Sequence, residues 1–421
     1  MTQAVYDNHR LYNPLLYQLL KYRLHNPSDA RIPALLSCAC WVSPFLRGSC
    51  ALVSEREQSS HFTHKTQETQ IIMLAKHLGR SLVAAILLST LAALPVLAQK
   101  AEEPKPAGVP VLWRDPGNIA RRNLTYGPGS AELAPVAPFT FVKEEQTGES
   151  PKFSVTDARG QTWVVKVGPE AQAETVASRL VWAVGYFADE SYYLDRTEIK
   201  NLPKLSRGQE FIENNSVVRG ARFEPKRKHI ARGENWDWEV NPFVKTRELD
   251  GLKVLMVLLA NYDTSIRNNR ILSTTNAAGE LEARYVATDV GATLGKVGGL
   301  GGKRSKNTLE DYRSSKFILG VENGLVKFDY DTTPKKMGAF ASLFKPSYRS
   351  SQERKERVMQ NISVENAGWV GSLLNHLSDE QLRDAFRAAN YDKKTMDGFV
   401  AVIRDRINQL NKLNAPLAAS R

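Results

Sequence analysis

The sequence predicts an α+β protein of two lobes, an N-terminal lobe built on an antiparallel sheet and a mostly helical C-terminal lobe. Two observations support this prediction. Three short segments with the alternation and turn residues typical of β-strands follow one another between Phe139 and Val167. The last third of the chain instead repeats apolar residues at helical spacing, as it does between Phe399 and Leu410. Strands followed by helices along one chain are typical of the α+β class.

The composition is that of an ordinary globular protein with a basic surface. Hydrophobic residues make up 42% of the 421 residues and charged residues 24%, so the chain can bury a sizeable core. The net charge of +12 suits anionic partners such as nucleotides, nucleic acids or membrane surfaces. No Lys/Arg tract is long enough to favour nucleic acid among these partners.

Residues 73–98 have the pattern of a secretory signal peptide. A short positive segment with Lys76 and Arg80 precedes an apolar run from Ser81 to Leu94. The tripeptide Val96–Ala98 then presents small residues at the two positions that signal peptidase recognises. We therefore expect an exported protein, either periplasmic or secreted.

Export has consequences for the start of the chain. Signal peptides lie at the N-terminus, so we expect translation to begin at Met73 and the mature protein to begin at Gln99. Residues 1–72 are then expected to be an over-extended gene model or disordered. The alternative is a membrane anchor, because the run from Leu82 to Ala98 is almost long enough to span a bilayer. Only in that case would the membrane be a partner. All three cysteines precede Met73, so the remaining chain has no disulfide or Cys-based zinc site.

Three segments come after the signal peptide. Residues 99–137 are rich in Pro and Gly and are predicted to be a linker and extended lead-in. Residues 138–245 form the strand-rich N-lobe, and residues 246–421 form the helical C-lobe. In the N-lobe, Trp236 and Trp238 are expected to pack at a domain junction, with a carbohydrate-binding platform as the alternative.

A lysine and a glutamate stand out in the predicted N-lobe. Lys166 lies on the third predicted strand, and Glu174 lies on the helix that Pro169 is well placed to open. A kinase needs a strand lysine on the nucleotide phosphates and a glutamate on the next helix to tether it. The alternatives are an edge-strand lysine in solvent and a surface carboxylate.

The second group of candidates lies after an apolar helix at Leu249–Leu259. Asp263 comes directly after this helix, Asn268 lies five residues later, and Asp289 opens an Asp-x-Gly sequence. Kinases arrange their base and metal ligands in this order. Asp263 is thus the candidate base, and Asn268 and Asp289 are the candidate metal ligands, with Asn269 an alternative to Asn268.

The segment between these residues is predicted to be a β-hairpin. Arg270–Leu272 and Arg284–Ala287 flank a turn at Asn276–Gly279, and the second strand ends just before Asp289. The hairpin would therefore carry a candidate metal ligand near each of its two ends.

With these motifs in view, Phe139 to Leu413 resembles the atypical protein-kinase-like group, which includes HipA-type, phosphoinositide-kinase and secretory-pathway kinases. The spacing of eight residues from Lys166 to Glu174 is similar to the short spacing in that group. Asn261-x-Asp263-x4-Asn268 resembles its catalytic loop, and Asp289-x-Gly its metal motif. The stretch that starts at Asp289 is also similar to exported bacterial proteins of uncharacterised function.

The resemblance implies a two-lobed protein-kinase-like fold that binds ATP or another nucleotide with Mg²⁺. Asp263 would act as base, Lys166 would lie on the phosphates with Glu174 tethering it at the cofactor site, and Asn268 and Asp289 would hold the metal. The phosphate acceptor would be a protein, a lipid or a small molecule. Two departures bear on catalysis: Ser265 replaces the loop histidine, and no glycine-rich loop joins the first two strands. The alternative function is therefore a non-catalytic pseudokinase or an envelope binding module on the same scaffold.

Overall fold

The computed structural model describes residues 108–148, 150–227, 231–298, 304–332 and 346–414. The predictions for residues 1–72 and for the signal peptide at 73–98 fall outside these ranges. Within them, the chain is a mixed α/β protein whose strands dominate the first half and whose helices dominate the second. No helix in the described ranges is long and apolar enough to cross a membrane.

The first half is organised around a β-barrel. Strand β1 (Val109–Val111) precedes it and lies outside it. The barrel strands are β2 (Phe139–Glu145), β3 (Lys152–Thr156), β4 (Thr162–Val167), β5 (Tyr192–Lys200) and β7 (Val217–Pro225), with the short β6 (Ile212–Glu213) paired to β7. Five strands pair in the circular order β2-β3-β4-β7-β5, and β5 returns to β2.

The closed barrel corrects the prediction of an antiparallel sheet for the N-lobe. Strand β7 pairs along one edge with β4 and along the other with β5, and the circle closes through a short parallel pairing at Phe139–Ile199. Closure removes the free edges of the sheet. It also encloses a compact apolar core in which the rings of Phe139 and Phe223 lie 4.9 Å apart. Such closure depends on pairings distant in sequence, which local alternation does not reveal.

Helix α1 (Glu170–Ala183) packs against the outside of the barrel, on β4, β5 and β7. Successive strand residues point to opposite faces. Val165 and Val167 therefore enter the barrel core, whereas Lys166 projects outward. On the outside it meets side chains from α1.

The second half begins with helix α2 (Arg247–Leu258), whose N-terminus is capped by the side chain of Thr246. A hairpin of β9 (Asn269–Thr275) and β10 (Leu281–Ala287) comes next, and β8 (Ala231–Arg232) pairs with β9. The hairpin matches the sequence prediction. Its register sets Asn269 opposite Ala287, so the residues just outside the hairpin, Asn268 and Thr288, become neighbours.

The remaining elements are mostly helical. They are α3 (Leu309–Ser314), the hairpin β11 (Ile318–Glu322) and β12 (Leu325–Phe328), α4 (Pro346–Val358), α5 (Val364–Asn375), α6 (Asp379–Arg387) and α7 (Lys393–Leu413). Helix α5 packs on α2 and α7, and their apolar faces share one core with the buried side of α1. The loop that comes after α2 and contains Asp263 is attached to this core.

The chain enters this fold earlier than the sequence predicts. Residues 108–137, expected to be an extended lead-in, contribute β1, which pairs in parallel with β10. Leu112, Ile119 and Leu124 are buried in the helical core. The Pro and Gly residues of this segment therefore shape turns that wrap around a packed surface.

Candidate functional site

Lys166 and Glu174 form the ion pair that the sequence predicts. The Lys166 Nζ lies 2.9 Å from Glu174 Oε2, and both side chains are almost completely buried. Strand β4 directs Lys166 outward, and α1 lies across that face with Glu174 pointing toward the strand. The pair therefore links the barrel to the helix that packs on it.

Arg222 is a third member of this cluster that sequence reasoning did not identify. It lies on β7 directly opposite Lys166 and approaches Glu174 Oε1 at 3.2 Å. Glu174 is thus held between two cations, one on each carboxylate oxygen. Although Arg222 lies in a basic stretch of the sequence, it is only 2% exposed. The flanking apolar residues Ala221 and Phe223 were the available signal, because they mark β7 as a core strand.

A second carboxylate from α1 also contacts the lysine. Glu170 Oε2 lies 2.8 Å from Lys166 Nζ and accepts a 2.6 Å hydrogen bond from the Ser150 hydroxyl. Lys306 contacts the other oxygen of Glu170. Glu170 therefore joins α1, the loop between β2 and β3, and the segment after the Asp-x-Gly sequence.

These contacts shift the protonation equilibria of the cluster. Burial of the Lys166 ammonium would lower its pKa, but Glu174, Asp289 and Glu170 outweigh burial and raise the pKa above the ordinary value. Burial likewise opposes ionisation of Glu170, yet the charge of Lys166 and hydrogen bonds from Lys166 and Lys306 lower the pKa of Glu170 to about 2. At neutral pH Lys166 is therefore protonated and Glu170 ionised.

Asp289 joins the same cluster. Its Oδ1 lies 2.6 Å from Lys166 Nζ, and 52% of its side chain is exposed. Asp289 has a φ of +52°, a left-handed conformation that an Asp side chain tolerates better than most. Gly291 lies two residues later in close contact with α1: a Cβ atom here would lie 2.9 Å from Glu170 Cβ and 3.2 Å from Glu174 Oε2.

Asp263 lies in a loop that its own hydrogen bonds shape. Its backbone N–H donates to Asn261 Oδ1 at 2.8 Å, and Asn268 Nδ2 donates to the Asp263 carbonyl at 2.9 Å and to Oδ2 at 3.1 Å. The other carboxylate oxygen, Oδ1, lies 2.7 Å from Lys355 Nζ on α4. The contact with Lys355 was not anticipated, because 92 residues separate it from Asp263.

The two adjacent asparagines have different environments. Asn269 is 1% exposed, and its Nδ2 donates to the Trp236 carbonyl at 2.9 Å. Asn268 instead bonds Asp263, and its own carbonyl accepts hydrogen bonds from Thr288. The structure thus brings Asn268, and not Asn269, beside Asp263.

A cleft of about 860 Å³ opens over this cluster. Lys166, Glu174 and Asp289 line it, as does Arg222. Asp263 and Asn268 do not line the cleft. Asn268 joins them to it, because its backbone carbonyl accepts a hydrogen bond from Thr288, which does line the cleft. The sequence-predicted residues therefore fall into two groups, one in the cleft and one beside it.

The walls of the cleft differ in character. Apolar side chains come from both sides, with Val164 on β4 facing the same way as Lys166, and Leu272 and Val286 on the hairpin. Basic side chains, including Arg267, Arg270 and Arg284, form part of the rim. An apolar slot beside buried cations suits a ligand with a flat apolar part and an anionic part.

The structure also bears on a carbohydrate platform and on the protein ligands available to a metal. Trp236 and Trp238 are each 3% exposed and pack in the helical core, so they cannot form the exposed carbohydrate platform considered from the sequence. Across the described ranges, no three His, Cys, Asp or Glu side chains gather in a way that could hold a metal ion. A metal here would rely on few protein ligands.

Comparison with known proteins adds little to this geometry. No protein-family model and no curated protein sequence matches the chain. Among solved structures, the crystal structure of the Helicobacter pylori proinflammatory kinase CtkA is similar, with 11% sequence identity over 67% of this chain and 98% of that one. The TM-score of this match is 0.34.

Proposed function

We propose that this chain has a two-lobed kinase-like fold that binds a nucleotide with Mg²⁺ and transfers phosphate to an acceptor. The observation that carries the proposal is the contact of Lys166 with both Glu174 and Asp289 on one cleft. A tethered lysine beside a carboxylate that follows a strand is the arrangement with which protein kinases hold the nucleotide phosphates and their metal. The loop of Asp263 is joined to this cleft by hydrogen bonds.

The nucleotide would contact both the apolar and the basic side chains of the cleft. Its base would lie between Val164 on the barrel side and Leu272 and Val286 on the hairpin side. Its phosphates would then approach Lys166, whose raised pKa keeps it cationic. Glu174 holds the lysine from behind and is itself held by Arg222, so the ammonium of Lys166 would be positioned with little loss of side-chain entropy on binding.

The oxygen ligands present fit Mg²⁺ bound mainly by nucleotide. Mg²⁺ in nucleotide sites takes one or two protein oxygens and completes its octahedron with phosphates and water. Asp289 offers a half-exposed carboxylate. Asn268 uses its Nδ2 to hold Asp263, which leaves Oδ1 as its ligand atom. When bound, Mg²⁺ would neutralise charge on the phosphates and orient them.

Asp263 would accept the proton of the attacking hydroxyl. The acceptor oxygen forms a bond to the terminal phosphorus, the bond from that phosphorus to the nucleotide's bridging oxygen breaks, and a nucleoside diphosphate leaves. The side chain of Asn268 holds Asp263 in place by donating hydrogen bonds to the backbone carbonyl and to the carboxylate of Asp263. The acceptor would be a protein, a lipid or a small molecule.

A non-catalytic binding protein is the second candidate, and one contact favours it. Asp263 is already paired with Lys355, which occupies one of the carboxylate oxygens that a base needs. The absence of a glycine-rich sequence between β2 and β3 points the same way. A pseudokinase would bind nucleotide in the cleft and recognise a partner without transferring phosphate.

Localisation is part of the proposal and rests on the sequence. We propose an exported protein, periplasmic or secreted, because of the signal-peptide pattern at residues 73–98. ATP is scarce outside the cytoplasm, so the donor is stated as ATP or another nucleotide.

One experiment separates the candidates. The purified protein is titrated by calorimetry with ATP and with each of the other nucleoside triphosphates, with and without Mg²⁺. It is then incubated with the γ-labelled form of the nucleotide that binds, to follow labelled phosphate on protein or in solution. Mg²⁺-dependent binding with turnover supports the kinase. Binding without turnover supports the pseudokinase, and no binding of any nucleoside triphosphate refutes both.

A further inference from the structure

The contact between Lys355 and Asp263 has a parallel elsewhere in the site. Each of the two carboxylates proposed for phosphoryl transfer lies against a lysine ammonium: Asp289 at 2.6 Å from Lys166 Nζ, and Asp263 at 2.7 Å from Lys355 Nζ. Lys166 is the proposed ligand of the nucleotide phosphates. Lys355 lies beside Asp263, the proposed base, as Lys166 lies beside Asp289.

The ammonium of Lys355 is held in place by its surroundings. Its side chain is 12% exposed, whereas 40% of the Asp263 side chain is exposed. Beyond Asp263, Lys355 Nζ approaches the Tyr262 carbonyl at 3.4 Å, so one of its three N–H donors has no acceptor among the described residues. A partly buried cation with a spare donor is suited to an anionic group arriving at Asp263.

Helix α4 fixes this lysine relative to the loop. Arg354, just before Lys355, contacts both Asp237 and Glu239. Glu356 accepts a 2.8 Å hydrogen bond from the Thr332 backbone. Consecutive residues of α4 thus bind different segments, and this rigid attachment limits the movement of Lys355 to its own side chain.

We propose that Lys355 is a further residue of the phosphoryl-transfer site, one that exchanges its contact with Asp263 for the transferred phosphoryl group. The inference rests on the proposed function. Negative charge spreads over the phosphoryl oxygens as the group moves, and a fixed ammonium beside the attacking oxygen stabilises that charge. When its ammonium turns to the phosphoryl oxygens, Lys355 also releases Asp263 Oδ1 to accept the proton of the acceptor.

The test compares three variants of the full chain with the wild type. Lys355→Met removes the ammonium and keeps most of the apolar stem, and Lys355→Arg keeps the charge. Arg357→Met is the matched control, because it removes one positive charge from the same helix at a residue that binds Glu239 and not Asp263. Affinity for ATP with Mg²⁺ and single-turnover phosphate release are measured for each.

We expect Lys355→Met to lower the single-turnover rate by about 10²–10³, the usual effect of removing one donor to a developing oxyanion. ATP affinity should change less than about threefold, Lys355→Arg should restore part of the rate, and Arg357→Met should match the wild type. A rate for Lys355→Met equal to that of Arg357→Met overturns the inference while leaving the proposed function intact.

If the wild type binds nucleotide without transferring phosphate, the inference is tested by a measurement that does not depend on turnover. ADP with Mg²⁺ and aluminium fluoride mimics the transferring phosphoryl group. Lys355→Met should weaken binding of this complex at least about tenfold relative to ADP alone, the effect of losing one charge-assisted hydrogen bond. Equal weakening for both ligands, or for neither, overturns the inference. Absence of nucleotide binding by the wild type refutes the proposed function and the inference together.

Discussion

The backbone carbonyl of Asn268 accepts two hydrogen bonds from Thr288, one from the backbone N–H at 2.7 Å and one from the hydroxyl at 3.0 Å. Asn268 holds Asp263, and Thr288 precedes Asp289. These bonds extend the β9–β10 hairpin by one residue pair beyond its ends. The two carboxylates that the sequence places 26 residues apart are therefore carried by one rigid unit.

Asp289 provides the first prediction. Asp289→Asn removes a carboxylate, which binds Mg²⁺ better than an amide oxygen does. It also weakens the contact with Lys166, which lies 2.6 Å away. We expect Mg²⁺-dependent ATP binding to be lost by calorimetry. The exposed Asp195→Asn on β5 is the control and should bind like the wild type. Unchanged affinity of Asp289→Asn would remove Asp289 from the proposed metal site.

Substitution of Asp263 should lower turnover and leave nucleotide binding nearly unchanged, unlike substitution of Asp289. Asp263→Asn keeps the shape of the side chain and the bond from Asn268 but cannot accept a proton. We expect ATP affinity to stay within about threefold and the single-turnover rate to fall by about 10²–10⁴, the usual contribution of a positioned base. A variant with full turnover would show that Asp263 is not the base, and a variant that loses binding would place it among the nucleotide ligands.

Local patterns in the sequence predicted much of this site. Lys166 and Glu174 were identified because each lies on an element with clear periodicity, and an ion pair eight residues apart needs only the turn between strand and helix. The β9–β10 hairpin was also predicted, because its turn residues are distinctive. The proximity of Asn268 to the residues around Asp289 is a direct consequence of this hairpin, so it too could be predicted from the sequence.

Contacts between distant segments were not predictable in this way. Arg222 reaches Glu174 because β7 pairs with β4, and Lys355 reaches Asp263 because α4 docks on the loop after α2. The closure of the barrel and the packing of residues 108–137 are of the same kind. Each depends on a pairing of segments far apart in sequence, for which one sequence contains no local signal.

Glu170 predicts a pH dependence of stability. The pKa of its carboxyl is about 2 in the folded protein against an ordinary value of 4.5. A lowered folded pKa stabilises the protein above the unfolded value, and this contribution is lost as the pH falls from 4.5 toward 2. By pH 3 the loss amounts to about 2 kcal/mol, taking about 1.4 kcal/mol per pH unit.

Glu170→Gln tests this by removing the titrating group. Urea unfolding is measured between pH 6 and pH 3 for the wild type, for Glu170→Gln and for the exposed Glu210→Gln as the control. The unfolding free energy of Glu170→Gln should fall less steeply over this range than that of the other two proteins. A slope equal to that of the wild type would contradict the proposed ionisation of Glu170 at low pH.

The proposed export gives a prediction about the mature chain. Cleavage after Ala98 should leave Gln99 as the N-terminal residue of the native protein. N-terminal sequencing and the intact mass of the exported protein check this. Recovery of residues 1–72 in the cellular product would contradict both the start at Met73 and the cleavage.

Gly291 supplies the last prediction, which links packing to the site. A Cβ atom at this position would lie 2.9 Å from Glu170 Cβ, closer than real Cβ atoms approach, and 3.2 Å from Glu174 Oε2. Gly291→Ala must therefore displace α1 or the Asp289 loop, since Glu170 and Glu174 are both bound to Lys166. We expect the unfolding free energy to fall by about 1–3 kcal/mol, the usual cost of overpacking.

The control for Gly291→Ala is Gly320→Ala on β11, where an added Cβ has no neighbour within 4 Å. This variant should be as stable as the wild type, so the comparison separates crowding from a general effect of removing glycine. Because the displaced parts carry Asp289 and the two glutamates that bind Lys166, Gly291→Ala should also weaken Mg²⁺-dependent ATP binding, and Gly320→Ala should not. A stable Gly291→Ala protein with normal affinity would mean that the Asp-x-Gly segment can move away from α1 without cost, and the close contact would then have no part in arranging the site.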